Sequence, residues 1–219
     1  MDTENLVESL CSVCGQKSLH PMLGDASSSG ASDLDGRPPP PLRDSISSWL
    51  QECPHCGYCS RSIEEENALA RETISSLRYT EQLQNNSFHP LANRFLCAAL
   101  LEEARGMSGR AARFMCYAAW ACDDTGNDEA ARSCRLMAVD TALNAAAREV
   151  VFFEERPDLD IVVIVDMLRR AGEFENALAS IRGARRAFPD PLAQSLLDVE
   201  EELSEKRDAS AHLTPETPA

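Results

Sequence analysis

Aromatic residues and glycine are both scarce in this chain of 219 residues. Phe, Trp and Tyr together make up 5% of it, and it has 10 glycines. Aromatic residues are enriched in strands, and glycine is the residue that many tight turns need. Of the residues, 43% are hydrophobic, and most of these are Ala, Leu, Val and Ile. The composition therefore favours packed helices over a sandwich of sheets.

Positive charge is also scarce. The chain has 21 Lys and Arg against 36 Asp and Glu, a net charge of −15, and Lys17 and Lys206 are its only lysines. Residues 1–60 alone carry eight acidic and three basic side chains, a net −5. Binding to nucleic acid or to an anionic membrane needs clusters of Lys and Arg. We therefore expect neither partner.

Long apolar runs are missing as well. The run from Ile161 to Val165 is far shorter than a membrane span. The first ten residues include Asp2, Glu4 and Glu8 and lack the basic and apolar regions of a signal peptide. The nine cysteines form an odd number, which fits full disulfide pairing poorly. We expect a cytoplasmic protein with reduced thiols.

Two cysteine pairs carry the strongest chemical signal. Cys11 and Cys14 form one Cys-x-x-Cys-Gly sequence, and Cys53 and Cys56 form the second. Two such turns facing each other offer four thiolates in a tetrahedron, and glycine lets the backbone fold around the metal. The pattern predicts a closed zinc site with a structural role. With few apolar residues in 1–60, the metal would supply much of the folding free energy there.

Iron is the alternative metal. Cys-x-x-Cys-Gly, then Trp49, then Cys-Pro-x-Cys-Gly is similar to rubredoxin, whose single iron carries electrons. Trp49 lies four residues before Cys53, farther than in that pattern, and the segment offers only Tyr58 as a further aromatic residue. Cys59 is either an auxiliary ligand or a small packed side chain.

Other candidates are less specific. Asp33, Asp35 and Arg37 lie in a Ser-, Gly- and Pro-rich stretch, residues 24–41, which we expect to be a surface loop. Its two carboxylates could bind a divalent cation or form a catalytic pair, as in a metal-dependent hydrolase, or could simply face water. We expect core packing for the four cysteines of the later region, which are Cys97, Cys116, Cys122 and Cys134.

Composition divides the chain into regions. Residues 1–60 hold the cysteine pairs, 61–87 read as a connecting helix, 88–208 are rich in Ala, Leu and Arg, and 209–219 are expected to be disordered. Helix, glycine turn, helix and proline follow each other in residues 158–191, and residues 110–147 show the helix, glycine turn and helix more weakly. This order resembles tetratricopeptide-type hairpins, although the spacing of 46 residues exceeds the usual period of about 34. The run from Ile161 could instead be a buried strand.

The whole pattern resembles a group of uncharacterised bacterial proteins. Its specific part is the first cysteine pair, Asp-Leu-Asp-Gly-Arg-Pro, Trp49 and Glu-Cys-Pro-His-Cys-Gly-Tyr-Cys ahead of the helices. That family pairs a zinc-ribbon-like head with a tetratricopeptide-like tail, and it has no agreed activity. We therefore predict a mainly α-helical, zinc-binding and non-enzymatic adaptor, whose helical tail binds a protein or peptide. The iron electron carrier and the Asp33/Asp35 hydrolase are the alternatives, and the oligomeric state is open.

Overall fold

The prediction of a mainly helical protein is confirmed. The computed structural model describes residues 6–21, 28–144 and 156–215. Two small β-hairpins and a 3-10 helix come first, and α-helices follow. The elements are β1 (Leu6–Leu10), β2 (Lys17–Pro21), the 3-10 helix (Arg43–Ser48), β3 (Gln51–Glu52), β4 (Cys59–Ser60), α1 (Ala70–Ile74), α2 (Leu77–Leu83), α3 (Pro90–Ala104), α4 (Ser108–Asp123), α5 (Asp128–Asn144), α6 (Pro157–Arg170), α7 (Phe174–Ala187) and α8 (Pro191–Glu205).

The two hairpins each enclose one Cys-x-x-Cys turn. Strands β1 and β2 pair antiparallel, with Leu6 opposite Pro21 and Leu10 opposite Lys17. Strands β3 and β4 also pair antiparallel, with Glu52 opposite Cys59. Each hairpin is too short to be stable alone. Because the cysteines lie in the turns, the geometry of each turn sets the positions of its sulfur atoms.

Residues that favour helix ends mark the boundaries of the long helices. Helices α3, α6 and α8 start with proline, whose missing N–H would have no partner at that position. The carboxylate of Asp190 accepts hydrogen bonds from the N–H groups of Leu192 and Ala193 and so caps α8. Gly126 (φ 67°) and Gly172 (φ 77°) make the left-handed turns after α4 and α6.

Each long helix packs against the next one along the chain, and α8 returns to contact α6. Buried alanines, such as Ala98 in α3 and Ala118 in α4, allow these helices to approach closely. The helices predicted from the repeat correspond to α4, α5, α6 and α7. The alternative of a strand at Ile161 to Val165 is wrong, because this segment lies within α6.

The connecting segment, residues 61–87, is not one helix. It holds α1 and α2, which are separated at Ser75 and Ser76. Ser76 has an extended backbone (φ −72°, ψ 149°), and its hydroxyl accepts a hydrogen bond from the N–H of Tyr79. Serine competes for backbone hydrogen bonds in this way and favours caps over helix interiors. This cap starts a new helix in a segment whose apolar spacing predicts a single one.

We expected residues 209–219 to be disordered, but residues 209–215, the part that the structure describes, contact the rest of the protein. Leu213 forms an antiparallel bridge with Asp33, and the N–H of Thr214 donates to the carbonyl of Ser32 (2.8 Å). The guanidinium of Arg169 donates to the carbonyls of Asp208 (2.6 Å) and Ser210 (2.9 Å). The composition of the tail predicts disorder, because composition does not show contacts with residues elsewhere in the sequence.

Candidate metal centre

The four cysteines of the two pairs lie in one cluster. Their sulfur atoms are all within 4.8 Å of one another. The sulfurs of Cys11 and Cys56 are 3.7 Å apart, and those of Cys14 and Cys53 are 3.6 Å apart. A regular tetrahedron with metal–sulfur bonds of about 2.3 Å has sulfur–sulfur edges of about 3.8 Å. The sulfur positions therefore fit a four-coordinate ion.

The two turns have the same backbone hydrogen bonds. In the first, the N–H of Gly15 donates to the carbonyl of Cys11 (2.9 Å), and the N–H of Cys11 donates to the carbonyl of Gln16 (3.0 Å). In the second, Gly57 donates to Cys53 (2.8 Å), and the N–H of Cys53 donates to the carbonyl of Tyr58 (2.9 Å). The two halves of the site are therefore equivalent in structure.

Glycine is required at the end of both turns. Gly15 has φ 71° and Gly57 has φ 74°, in the region that side chains with a Cβ rarely adopt. In each half, the backbone two residues after the second cysteine bonds to that cysteine's sulfur, Gln16 to Cys14 and Tyr58 to Cys56. Backbone donors aimed at sulfur stabilise a thiolate.

Burial opposes the ionisation of two of the four thiols, those of Cys53 and Cys56. Burial, with the neighbouring cysteines, raises the pKa of Cys56 well above its ordinary value, and burial also raises the pKa of Cys53. At Cys14 burial acts in the same direction, but the hydrogen bond from the backbone of Gln16 and those from the other cysteines lower its pKa overall. Four thiolates this close repel one another, so their joint ionisation needs a bound metal ion.

The remaining possible ligands near the cluster point elsewhere. Cys59 is fully buried, and its thiol donates to the carbonyl of Gly57 (3.4 Å), so it lies outside the cluster as a packed side chain. His20 is buried and bonds to the hydroxyl of Ser18 (2.8 Å), while His55 is exposed. Four sulfurs complete the coordination of zinc, and a closed site leaves no position for a reacting water.

The Asp33–Arg37 segment is not an open surface loop, and this corrects the surface-loop expectation for that part of residues 24–41. Residues 28–30 and 40–41 are exposed, as expected. Asp33, Asp35 and Arg37 are all buried. The guanidinium of Arg43 contacts Asp33 (2.6 Å), and the guanidinium of Arg37 donates to both carboxylate oxygens of Asp124 at the end of α4 (2.6 and 2.8 Å). Residues 22–27 lie outside the described residues.

Both oxygens of the Asp35 carboxylate accept hydrogen bonds. One of its oxygens accepts from the indole N–H of Trp120 (2.7 Å) and from the guanidinium of Arg170 (2.7 Å). The other accepts from the N–H of Arg37 (3.1 Å). The two aspartates therefore face different arginines. Among the described residues, the only group of His, Cys, Asp and Glu side chains arranged to hold a metal is the cysteine cluster.

Sequence reasoning identified the loop residues and missed their partners. Arg170 also contacts Asp123 (2.8 Å), to which Arg135 is paired as well. In a helical region rich in arginine, a single sequence does not indicate which arginines are buried. The four later cysteines are all buried, as expected for core side chains; they are Cys97, Cys116, Cys122 and Cys134.

Comparisons with known proteins add no assignment. No protein-family model, no curated protein and no solved structure matches the chain. Among the described residues, none of the helices has the length and apolar character needed to cross a membrane.

Proposed function

We propose that the protein is a zinc-binding, non-enzymatic adaptor in which the metal holds the N-terminal part in the shape that a protein partner recognises. The observation that carries this proposal is the cluster of Cys11, Cys14, Cys53 and Cys56, with sulfur–sulfur distances suited to one tetrahedral ion. Four protein ligands fill the coordination of zinc, and zinc has no redox chemistry. Both facts favour a structural role for the metal.

Zinc is favoured over iron by the position of Trp49. Its ring packs against Tyr117 (5.3 Å between centroids) and Trp120 (6.2 Å) of α4. The tryptophan that makes the sequence similar to rubredoxin therefore belongs to the junction with the helices. Iron and zinc both bind four cysteine sulfurs. The metal content of the purified protein therefore distinguishes the zinc-binding adaptor from a rubredoxin-like electron carrier.

The first hairpin offers an apolar surface to a partner. Leu6, Leu10 and Leu19 lie on one face of it and are 54%, 50% and 62% exposed, and they share this face with the ion pair of Glu8 and Lys17. Exposed apolar side chains grouped together with polar residues around them are typical of an interaction site. We call these three leucines the hairpin leucine face. They supply one contact surface beside the helices.

The helical part supplies the second surface. Its consecutive packed helices suit a tetratricopeptide-like array, whose concave side binds peptides in such proteins. An open groove of about 400 Å³ lies where the loop meets α4, and Trp49, Tyr117 and Trp120 line it. Aromatic side chains supply much of the binding energy at protein interfaces. A peptide bound in this groove would contact the helices and the loop together.

The metal part of the proposal is tested by elemental analysis of purified protein. We expect one zinc per chain and a colourless solution. Cys11→Ser should lose the zinc, whereas Cys59→Ser, which changes a neighbouring cysteine outside the cluster, should keep it. Iron at full occupancy, with visible charge-transfer absorption, would contradict the zinc assignment.

The adaptor part is tested with the full chain. Cross-linking in cells followed by mass spectrometry should give partner peptides joined to the hairpin leucine face or to the groove. Leu10→Glu with Leu19→Glu should reduce the hairpin cross-links and leave the zinc content unchanged. Leu77→Glu, at a leucine on α2 that is 71% exposed, is the matched control. Equal cross-linking in all three chains would contradict a role for the hairpin.

A further inference from the structure

The two cysteine turns differ in how they are attached to the helices. The hydroxyl of Tyr79, a buried residue of α2, donates to the carbonyl of Gly57 (2.8 Å) and accepts from the N–H of Cys59 (3.2 Å). The carboxylate of Glu52 in β3 pairs with the guanidinium of Arg94 in α3 (2.6 Å). These contacts connect the second turn to two helices without the metal ion.

The first turn is attached by a few polar contacts. The N–H of Ser12 donates to the carbonyl of Ile63 (2.8 Å). The hydroxyl of Ser12 donates to the carbonyl of Glu65 (2.8 Å), and the N–H of Leu10 donates to the carboxylate of Glu64 (3.1 Å). The last two bonds are exposed. Because water competes for exposed hydrogen bonds, each adds little to the stability of the attachment.

A fourth contact comes from α1, where the guanidinium of Arg71 donates to the carbonyl of Val13 inside the first Cys-x-x-Cys sequence. The first hairpin comprises residues 6–21. Among the described residues, its hydrogen bonds and ion pairs to the rest of the protein all involve Leu10, Ser12 or Val13, apart from the contacts among the four sulfurs. The polar attachment of the hairpin is therefore confined to its turn.

Apolar packing adds little to this attachment. The leucines and the valine of β1 and β2 are all exposed, and the buried side chains of these strands, Ser9 and His20, are polar. In the first hairpin, Cys11 and Val13 belong to the hydrophobic core, and Cys14 packs against it in part. Two of these three residues are ligands of the proposed metal ion. The attachment of the first hairpin therefore centres on its cysteines.

We propose that zinc controls the attachment of the first hairpin: without the ion the hairpin separates from the helices, while the second turn stays in place. Single hydrogen bonds contribute little net stability, whereas a structural zinc site supplies much of the folding free energy of a small module. This regulation rests on the proposed zinc-binding function. It means that the hairpin leucine face is held in a fixed position beside the helices only in the zinc-loaded protein.

The test is hydrogen exchange, measured by mass spectrometry on the full-length chain before and after a chelator removes the zinc. Peptides that cover residues 6–21 should exchange slowly with zinc bound. After zinc removal they should exchange nearly as fast as an unstructured chain, because an isolated two-stranded hairpin is only marginally stable. Peptides that cover residues 51–60, α2 and α3 should keep their protection. Adding zinc back should restore slow exchange in the hairpin.

Two variants test the contacts that make the turns unequal. Tyr79→Phe removes the hydroxyl between Gly57 and Cys59, so the zinc-free variant should lose protection in the second turn as well. Tyr117→Phe removes a hydroxyl from α4 and is the matched control, which should keep that protection. Arg71→Gln removes the bond to Val13 and should lower the chelator concentration that releases the hairpin by about tenfold, the usual effect of losing a hydrogen bond to a charged group.

Three results would overturn the proposal. Loss of protection in both turns of the unaltered chain would show that zinc holds them alike. Faster exchange throughout α2 and α3 would show that zinc removal unfolds the helices. Continued protection of residues 6–21 without zinc would show that the protein contacts are sufficient.

Failure of the proposed function gives a different result. A chain that takes up no zinc at the four sulfurs would contradict the zinc-binding function before any exchange is measured. A chain that binds zinc and yields no cross-links at the hairpin would contradict the adaptor role, while zinc-dependent exchange in residues 6–21 would still support release of the hairpin.

Discussion

The carboxylate of Asp35 and the guanidinium of Arg170 lie 2.7 Å apart, although 135 positions separate them in the sequence. Both side chains are almost completely buried. Burial acts to lower the pKa of Arg170, but Asp35 and Asp123 outweigh it and hold that pKa above its ordinary value. This ion pair joins the loop between the two cysteine turns to α6. The loop that looked chemically active in the sequence therefore connects the metal-binding part to the helices.

Asp35→Asn should destabilise the whole protein. The substitution removes a charge from a buried pair and leaves Arg170 with Asp123 as its remaining acidic partner. Breaking a buried pair is costly, and with one partner retained we expect a loss of about 2 kcal/mol in the free energy of unfolding by urea. Asp44→Asn removes the same charge at an exposed position nearby and should change stability little. Equal stability of the two variants would contradict the buried pair.

Gly57→Ala should be more harmful than Gly15→Ala. Both positions have a positive φ, so both substitutions strain the backbone by about 1 kcal/mol. A Cβ on Gly57 would also lie 2.8 Å from a methyl group of Leu83, whereas one on Gly15 meets nothing within 4 Å. Thermal unfolding of the zinc-loaded chains should give the lower midpoint for Gly57→Ala. The reverse order would contradict the packing of α2 on the second turn.

The sequence was most informative where chemistry and spacing are local. Each cysteine turn and each of the helices α4 to α7 follows from residues close together in the chain, because a Cys-x-x-Cys-Gly turn and a 3.6-residue period are local properties. That the two distant turns meet follows from the chemistry of a four-thiolate metal site. The partners of Asp35, Arg37 and Arg169 could not be found in this way. Most of them lie on other elements, although Asp166, one partner of Arg169, is three residues away on the same helix. A single sequence does not show which arginine is buried beside which carboxylate.

A second buried cluster predicts how stability depends on pH. Arg169 contacts both Asp166 and Glu200 in the core between α6 and α8. Two buried carboxylates share one guanidinium, so one of them retains a proton. Burial, reinforced by the charge of Asp166, raises the pKa of Glu200 to about 9. The pKa of Asp166 is raised as well, with burial as the largest cause.

The sign of the pH effect follows from the raised pKa of Glu200. Between its ordinary pKa of 4.5 and about 9, the folded protein binds more protons here than the unfolded chain does. Stability should therefore fall as pH rises through this interval. Glu200→Gln, which mimics the protonated acid, should flatten the fall in a series of urea unfolding curves. A stability that rises over the same interval in the unaltered chain, and that Glu200→Gln leaves unchanged, would contradict a shared proton.

Removal of the tail should loosen the fold. A chain ending at Arg207 loses the two carbonyls that accept from Arg169 and the bridge between Leu213 and Asp33. We expect a lower thermal midpoint and faster amide exchange in the loop at residues 33–37. A chain ending at Pro215 keeps all these contacts and is the matched control. Identical exchange in the two shortened chains would show that the tail contributes nothing to the loop.

The central claim is that four cysteine sulfurs hold one zinc ion, and X-ray absorption at the zinc edge of the purified protein tests it most directly. The account predicts one zinc per chain with four sulfur neighbours at about 2.3 Å and no nitrogen or oxygen neighbour. Zinc with fewer than four sulfurs, or a chain that contains iron in place of zinc, would contradict it.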